Sequence, residues 1–135
     1  ITGPARGSLA GGTFDLNTMP DALPILAVTA CFAQGTTVLY NVPQARIKET
    51  DRITVMCNNL NKLGAVIEEL PDGLIIHGQG YLTGGICDGY EDHRVIMAMA
   101  IASLGCSESV TIRGTDAVEV TFPTFFTLLD TIKHK

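Results

Sequence analysis

Two short stretches concentrate charge in a chain that is only 17% Asp, Glu, Lys and Arg. Arg46-Ile47-Lys48-Glu49-Thr50-Asp51-Arg52 is the densest polar run, and Glu91-Asp92-His93-Arg94 repeats its mixture of acids and bases. Asp21, after Met19-Pro20, is a third charged position. Such residues suit work on an anionic substrate. Arg and Lys bind carboxylate or phosphate, Arg with a two-pronged fork. A carboxyl group tuned by its surroundings can hand over or take up a proton. Each position also has a plainer reading: a solvated first helical turn for residues 46–52, an Asp cap with a surface His-Arg for residues 91–94, and an ordinary helix-start acid for Asp21. Two features weigh toward chemistry. Three cations at a helix N-terminus oppose its dipole, and Arg94 opens a helix so apolar that it needs a partner or a cleft.

The elements that must carry these residues follow from pattern. Thr13 to Leu16 alternates like a short strand. A helix is predicted from about Asp21 to Ala33, apolar nearly all round and therefore buried, ending before Gly35. Thr36 to Asn41 is a β-branched strand. A second helix is predicted from roughly Glu49 to Leu63, with Ile53, Met56, Cys57, Leu60 and Leu63 on one stripe. On that helix Lys48 and Arg52 would share a face, and Glu49 could pair with Arg52. Ala65 to Leu70 and Leu74 to His77 flank Pro71-Asp72-Gly73, a hairpin signal. Thr83 to Asp88 is another strand, Asp92 starts a third helix, Val110 to Arg113 is a strand, and Thr121 to about Ile132 is a last helix with Pro123 in its first turn.

These elements repeat. Strand, acidic helix start, buried helix, strand, loop and helix occur twice at an offset of 71 to 72 residues: Asp21 falls on Asp92, Val38 on Val110, and Lys48 on Val120. The chain therefore reads as one and two-thirds copies of a βαβαββ unit, the first at about 12–80 and the incomplete second at about 81–135. Two such copies make an α/β (α+β) domain whose helices begin on the same side of the sheets. Free backbone N–H groups and the positive dipole ends gather there, an arrangement suited to anions.

Composition narrows the rest. The 135 residues carry 9 Lys+Arg against 14 Asp+Glu, a formal net charge of −5, which argues against a general nucleic-acid binder. Hydrophobic residues are 46% and the mean hydropathy is +0.27, so a folded core is expected rather than disorder. The longest apolar run, Val95 to Ala102, is far short of a membrane span, and no leader peptide is expected. Cys31, Cys57, Cys87 and Cys106 form no CxxC pair, and reduced thiols in a cytoplasmic protein are the expectation. His77, His93 and His134 have no metal-ligand spacing, and no metal is expected. Phosphate-loop, dinucleotide and nucleophile-elbow motifs are missing.

Met-Pro-Asp-Ala (19–22), Arg-Ile-Lys-Glu-Thr-Asp-Arg (46–52), Lys-Leu-Gly-Ala (62–65), Asp-Gly-Leu (72–74), Glu-Asp-His-Arg (91–94) and Thr-Phe-Pro-Thr-Phe-Phe (121–126) stand in an order and spacing that resemble the 5-enolpyruvylshikimate-3-phosphate synthase family, from about Gly12 to Leu129. The resemblance implies a two-domain, inside-out α/β barrel enzyme about three times longer, each domain made of three βαβαββ-type units, with this chain matching most of the C-terminal domain and lacking the N-terminal one. It implies transfer of the enolpyruvyl group of phosphoenolpyruvate to the 5-hydroxyl of shikimate 3-phosphate, without metal or organic cofactor, by a cytoplasmic enzyme that is monomeric at full length. By motif position, Asp21 resembles the carboxylate that holds the ring hydroxyls and takes the 5-hydroxyl proton. Lys48 resembles a lysine on those hydroxyls, Glu49 the acid that protonates the methylene carbon, and Arg52 and Arg94 the clamp on phosphoenolpyruvate. His93 supports them, and Gln44 stands where an amide meets the substrate. Val120 departs from the pattern, occupying a place where some members carry a lysine. The isolated chain is expected to be inactive. The alternatives are a non-catalytic folded relative and the sister enzyme acting on UDP-N-acetylglucosamine, which the Lys-Glu-Thr-Asp-Arg and Asp-His-Arg motifs disfavour.

Overall fold

A computed structural model describes residues 2, 3, 5 and 7–133. Strand β1 (Thr13–Asp15) leads through a 3-10 turn (Pro20–Ala22) into helix α1 (Leu23–Cys31), and strand β2 (Gln34–Tyr40) returns parallel to β1. A second 3-10 turn (Pro43–Ile47) precedes helix α2 (Arg52–Lys62), and a hairpin of β3 (Val66–Leu70) and β4 (Gly73–Gln79) follows. The hairpin lies antiparallel along β2, giving one sheet in the order β1-β2-β4-β3. Strand β5 (Gly85–Asp88), helix α3 (His93–Ser103) and strand β6 (Val110–Arg113) then repeat the β1-α1-β2 crossover as a second, two-stranded parallel sheet. Helices α4 (Ala117–Thr121) and α5 (Phe125–Lys133) complete the described chain.

The two crossovers share one register. Thr13 opposite Val38 becomes Gly85 opposite Val110, an advance of 72 residues on both strands. The isolated bridge Ala10–Gln34 becomes Leu82–Cys106 by the same advance. In both halves the bridge spans 24 residues and the ladder 25, so one extra residue enters the returning strand at the same place. The parallel pairing explains why each half needs a helical crossover, since a tight turn cannot join parallel strands.

Helices α1, α2 and α3 pack on one another; α1 and α2 also cover one face of the larger sheet, and α3 lies against β6. Leu23, Ala27, Ile53, Met56, Leu60, Leu74, Ile76, Val95 and Met99 all lie within the continuous core. Each buried Leu, Ile or Met contributes about 1.5–3 kcal/mol against leaving it in water. The expected stripe on α2 is the buried one: Ile53, Met56, Cys57 and Leu60 on the helix, with Leu63 just beyond it. Gly73 and Gly78 on β4 permit close approach. A Cβ at Gly73 would collide with the Leu39 carbonyl oxygen, and one at Gly78 with that of Ala33.

Three expectations are corrected. Helix α2 begins at Arg52 rather than Glu49, because the 3-10 turn takes residues 43–47 and Asp51 caps the helix, its carboxylate accepting from Thr54 N at 3.1 Å. Lys48 therefore lies off the helix and shares no helical face with Arg52. The predicted helix over 121–132 is two helices broken at Phe122–Thr124. Phe122 precedes Pro123 and leaves the helical region (φ −148°, ψ 72°), which proline disfavours for the residue before it. Pro123 sits in that break, not in a first turn. Finally, α1 is buried on most sides but not all: Ile25 and Thr29 are exposed. His134, considered for metal spacing, lies outside the described residues.

All four cysteines are free, with Cys31, Cys57 and Cys87 buried. No group of acidic, His or Cys residues that could hold a metal occurs among the described residues, and none of their helices is long and apolar enough to cross a membrane.

Candidate functional site

The charged positions converge at one end of the parallel strands. Asp21 sits in the 3-10 turn before α1, Lys48 and Glu49 in the loop entering α2, Arg52 at the start of α2, and Asp92, His93 and Arg94 at the mouth of α3. Crossover geometry puts them together, because a helix following a parallel strand starts at that strand's C-terminal end.

Arg52 is the centre. Its side chain is 1% exposed, yet each nitrogen is paired: Nε to Asp92 Oδ2 at 2.8 Å, Nη1 to Asp21 Oδ1 at 2.9 Å, and Nη2 to Glu49 Oε2 at 2.8 Å and Asp92 Oδ1 at 3.1 Å. Asp92 is fully buried. Its Oδ1 also accepts from the backbone N–H of Arg94 at 2.9 Å and of Val95 at 3.4 Å, so one carboxylate caps α3 and neutralises Arg52. Two charges out of water are tolerated only when paired and hydrogen-bonded in this way. Asp92 is delivered by a strained turn: Tyr90 (φ 51°) and Glu91 (φ 54°) are both left-handed, a conformation costing about 1–2 kcal/mol per non-glycine residue.

The outer groups are half exposed. Lys48 Nζ lies 3.4 Å from Asp21 Oδ1, and Arg94 Nη2 lies 3.3 Å from Asp21 Oδ2. His93 Nδ1 is 3.8 Å from Glu49 Oε1, too long for a hydrogen bond. Asp21 thus receives all three cations. Partial burial pushes its carboxyl pKa up, but the charges of Arg94, Lys48 and Arg52, with a hydrogen bond from Lys48, outweigh that and hold it below the ordinary carboxylate value. Burial works against the charged Arg52, and the carboxylates of Asp92, Glu49 and Asp21 reverse this and raise its pKa.

Five of the seven expected site residues therefore form one ion-pair network, Asp21, Lys48, Glu49, Arg52 and Arg94, and His93 lies at its edge beside Glu49. Gln44 does not join it. Its Nε2 donates to the Asn17 carbonyl at 3.1 Å, and its Oε1 is buried without a partner. Val120 is 86% exposed and lines a surface hollow with Glu91 and Asp116. The three cations expected to oppose the α2 dipole are answered by carboxylates: Arg46 by Asp51 and Glu69, Lys48 by Asp21, and Arg52 by three acids. Asp92 is the member that sequence reasoning undervalued. It looked like a helix start, and only burial shows that it is also the counter-ion of Arg52. The pairing of two charged motifs 40 residues apart was the available signal.

Chemically, the arrangement offers Asp21 and Glu49 as accessible carboxylates, with Lys48 and Arg94 as accessible cations around them. Arg94 and Asp21 also line a shallow pocket with Pro24, Ile25, Met97 and Ile101. Arg94 is the cation that lines this pocket, while Arg52 is buried behind its carboxylates.

The family model for EPSP synthase (3-phosphoshikimate 1-carboxyvinyltransferase) matches residues 2–129. The 3-phosphoshikimate 1-carboxyvinyltransferase of Ruminiclostridium cellulolyticum is 56% identical over 118 residues, 87% of this chain and 28% of that relative. The same enzyme of Acetivibrio thermocellus is 54% identical over 121 residues, 90% of this chain and 28% of that relative. The solved EPSP synthase of Acinetobacter baumannii superposes with a TM-score of 0.85 at 35% identity, covering 91% of this chain and 30% of that one. The chain thus spans about 28% of the length of these two curated relatives.

Proposed function

The chain belongs to the EPSP synthase family, and from that premise we propose that its ion-pair network is one wall of a site that transfers the enolpyruvyl group of phosphoenolpyruvate to the 5-hydroxyl of shikimate 3-phosphate. The observation that carries this reading is the convergence of Asp21, Lys48, Glu49, Arg52, His93 and Arg94, from three separate helix entrances, into one cluster.

In this reading Asp21 orients the ring hydroxyls and takes the 5-hydroxyl proton as that oxygen bonds to C2 of phosphoenolpyruvate. Glu49 delivers a proton to C3, which becomes a methyl group. The tetrahedral adduct then gives a C3 proton back to the Glu49 carboxylate as the C2–O bond to phosphate breaks, which restores the double bond and releases phosphate. Lys48 sits on Asp21 and supports the hydroxyls, and Arg94 faces the carboxylate or phosphate of the incoming anion. Arg52 completes the clamp when Asp21 or Glu49 turns from its guanidinium to the substrate. His93 borders Glu49, and Gln44, tied to the Asn17 carbonyl, keeps a buried acceptor oxygen without a partner among the described residues. The chain's two units, about 12–80 and about 81–135, form part of one domain of the enzyme. The other domain supplies the opposite wall and excludes water on closing.

The test is phosphate release from phosphoenolpyruvate and shikimate 3-phosphate, with the chain alone and with the rest of a family enzyme supplied as a separate piece. Release only in the mixture, lost on Glu49→Gln or Asp21→Asn, is the expected result. Release by the 135 residues alone, or indifference of the mixture to both substitutions, would overturn the reading.

A further inference from the structure

Arg46 lies outside the network around Arg52, yet its guanidinium is as fully engaged. Nε donates to the Pro71 carbonyl at 2.7 Å and Nη2 to the Leu70 carbonyl at 2.7 Å, both at the tip of the β3-β4 hairpin. Nη1 meets Asp51 Oδ2 at 2.8 Å, Glu69 Oε1 at 2.9 Å and Thr54 Oγ1 at 3.2 Å. Asp51 in turn caps α2 through Thr54 N. Residues 46 and 51 are thereby tied to each other and to two rigid elements.

The residues between those ties have little else to hold them. Ile47 is 85% exposed, and Lys48 and Glu49 are exposed. Lys48 is extended (φ −89°, ψ −153°) and belongs to neither the 3-10 turn nor α2. An unsupported loop would let the Lys48 and Glu49 side chains wander, because exposed ion pairs alone barely repay the entropy of ordering two long side chains. The loop nevertheless places Glu49 on Arg52 and Lys48 on Asp21.

From this geometry we infer that Arg46 is a positioning residue: by locking Asp51 and the hairpin tip, it fixes the 46–51 loop so that Lys48 and Glu49 reach the site. Its planar fork is what the task requires. A lysine offers one ammonium and cannot meet two carbonyls, two carboxylates and a hydroxyl in fixed directions. The functional weight of this positioning rests on the enolpyruvyl-transfer reading, but the positioning itself does not.

A double-mutant cycle on the chain tests it by urea unfolding. Glu49→Gln is expected to lower the folding constant about two- to fivefold in the parent chain, the worth of a partly exposed ion pair. In the Arg46→Lys background the same change is expected to have no effect, because Glu49 is no longer held on Arg52. Arg46→Lys keeps its charge, so a changed field at Glu49 does not explain the loss, and a role confined to stability would leave the Glu49 effect intact. Equal effects in both backgrounds, or none in the parent chain, would overturn the inference. If Arg46→Lys does not fold, Asp51→Asn replaces it, keeping an oxygen for the Thr54 cap while removing the charged partner, with the same expected pattern. The cycle reads folding alone, so failure of the reconstituted enzyme to release phosphate leaves it standing, and its own failure leaves the enzyme reading untouched.

Discussion

Arg52 and Asp92 form a two-pronged ion pair, Nε to Oδ2 at 2.8 Å and Nη2 to Oδ1 at 3.1 Å, and neither side chain reaches solvent. The pair joins α2 to the mouth of α3, so it holds the two repeated halves together at the level of the site. Removing one partner strands the other in a dry interior. Arg52→Met is therefore expected to cost about 3–5 kcal/mol. Adding Asp92→Asn should recover part of that loss, since the amide oxygen still caps α3 at the N–H groups of Arg94 and Val95. Urea denaturation of the two variants measures both effects. A loss below about 1 kcal/mol for Arg52→Met would show that the pair contributes little.

Acid should loosen the site before the core. The folded-state pKa of Asp21 is depressed by Arg94, Lys48 and Arg52 against an opposing burial effect. That of Asp51 is depressed too: burial raises it, and the Thr54 N–H and Arg46 outweigh this. A depressed carboxyl stabilises the fold above its unfolded-state pKa, and that contribution disappears as pH falls through the folded-state value. Asp21→Asn and Asp51→Asn should therefore cost stability at neutral pH, and the gap to the parent chain should close as pH drops through the acid range. Thermal midpoints from pH 7 downward would show it, and a gap that widens instead would contradict it. Asp21 is nearly half exposed, so its share should stay under about 1 kcal/mol.

Thiol chemistry reports on packing. Burial, with a smaller contribution from nearby Cys106, pushes the Cys31 thiol up to about 12; burial, with Asp88, pushes Cys87 up to about 11. Neither has appreciable thiolate at mild pH. Cys106 is partly exposed and should react first with an alkylating reagent at about pH 8. Cys31 and Cys87 should react only at the rate of unfolding. Mass spectrometry of partly labelled protein gives the order, and early modification of Cys31 would rule out this packing.

Two glycines should separate steric from conformational demands. Gly73 faces the Leu39 carbonyl with no room for a Cβ, whereas Gly35 has open space and a left-handed φ of 83°. Gly73→Ala should cost about 1–3 kcal/mol through displaced backbone. Gly35→Ala should cost about 1 kcal/mol, and Gly35→Asn less, since asparagine tolerates that conformation. Unfolding midpoints decide it. Equal losses at both positions would mean that β2 and β4 adjust to the added methyl.

Much of the fold was legible because each half obeys simple periodicities. The stripe of α2, the hairpin around Asp72-Gly73 and the parallel crossovers follow from residue spacing, and the shared 72-residue advance is visible in the sequence before any pairing is known. The start of α2 was not legible. Residues 49–51 look helical in isolation, and what sets the start at Arg52 is the 3-10 turn at 43–47 and the Asp51 cap, whose carboxylate pairs with Arg46 at a hairpin tip about twenty residues later. The break at Phe122 was carried by Pro123, but a first-turn proline and a helix-separating proline look alike without the flanking contacts. For the site, the charged motifs announced which residues would gather. Their pairing into a set without surplus charge depends on burial of Arg52 and Asp92, which no local pattern encodes.

That balance has a kinetic side. Asp21, Glu49 and Asp92 cancel Lys48, Arg52 and Arg94 one for one, inside a chain whose net charge is −5. A negative solute approaching from a distance feels no pull from this wall and a weak push from the molecule as a whole. Capture then relies on contact at close range rather than on steering through solution. Raising the ionic strength should accordingly speed the encounter with this half slightly, where an open basic cleft would slow it.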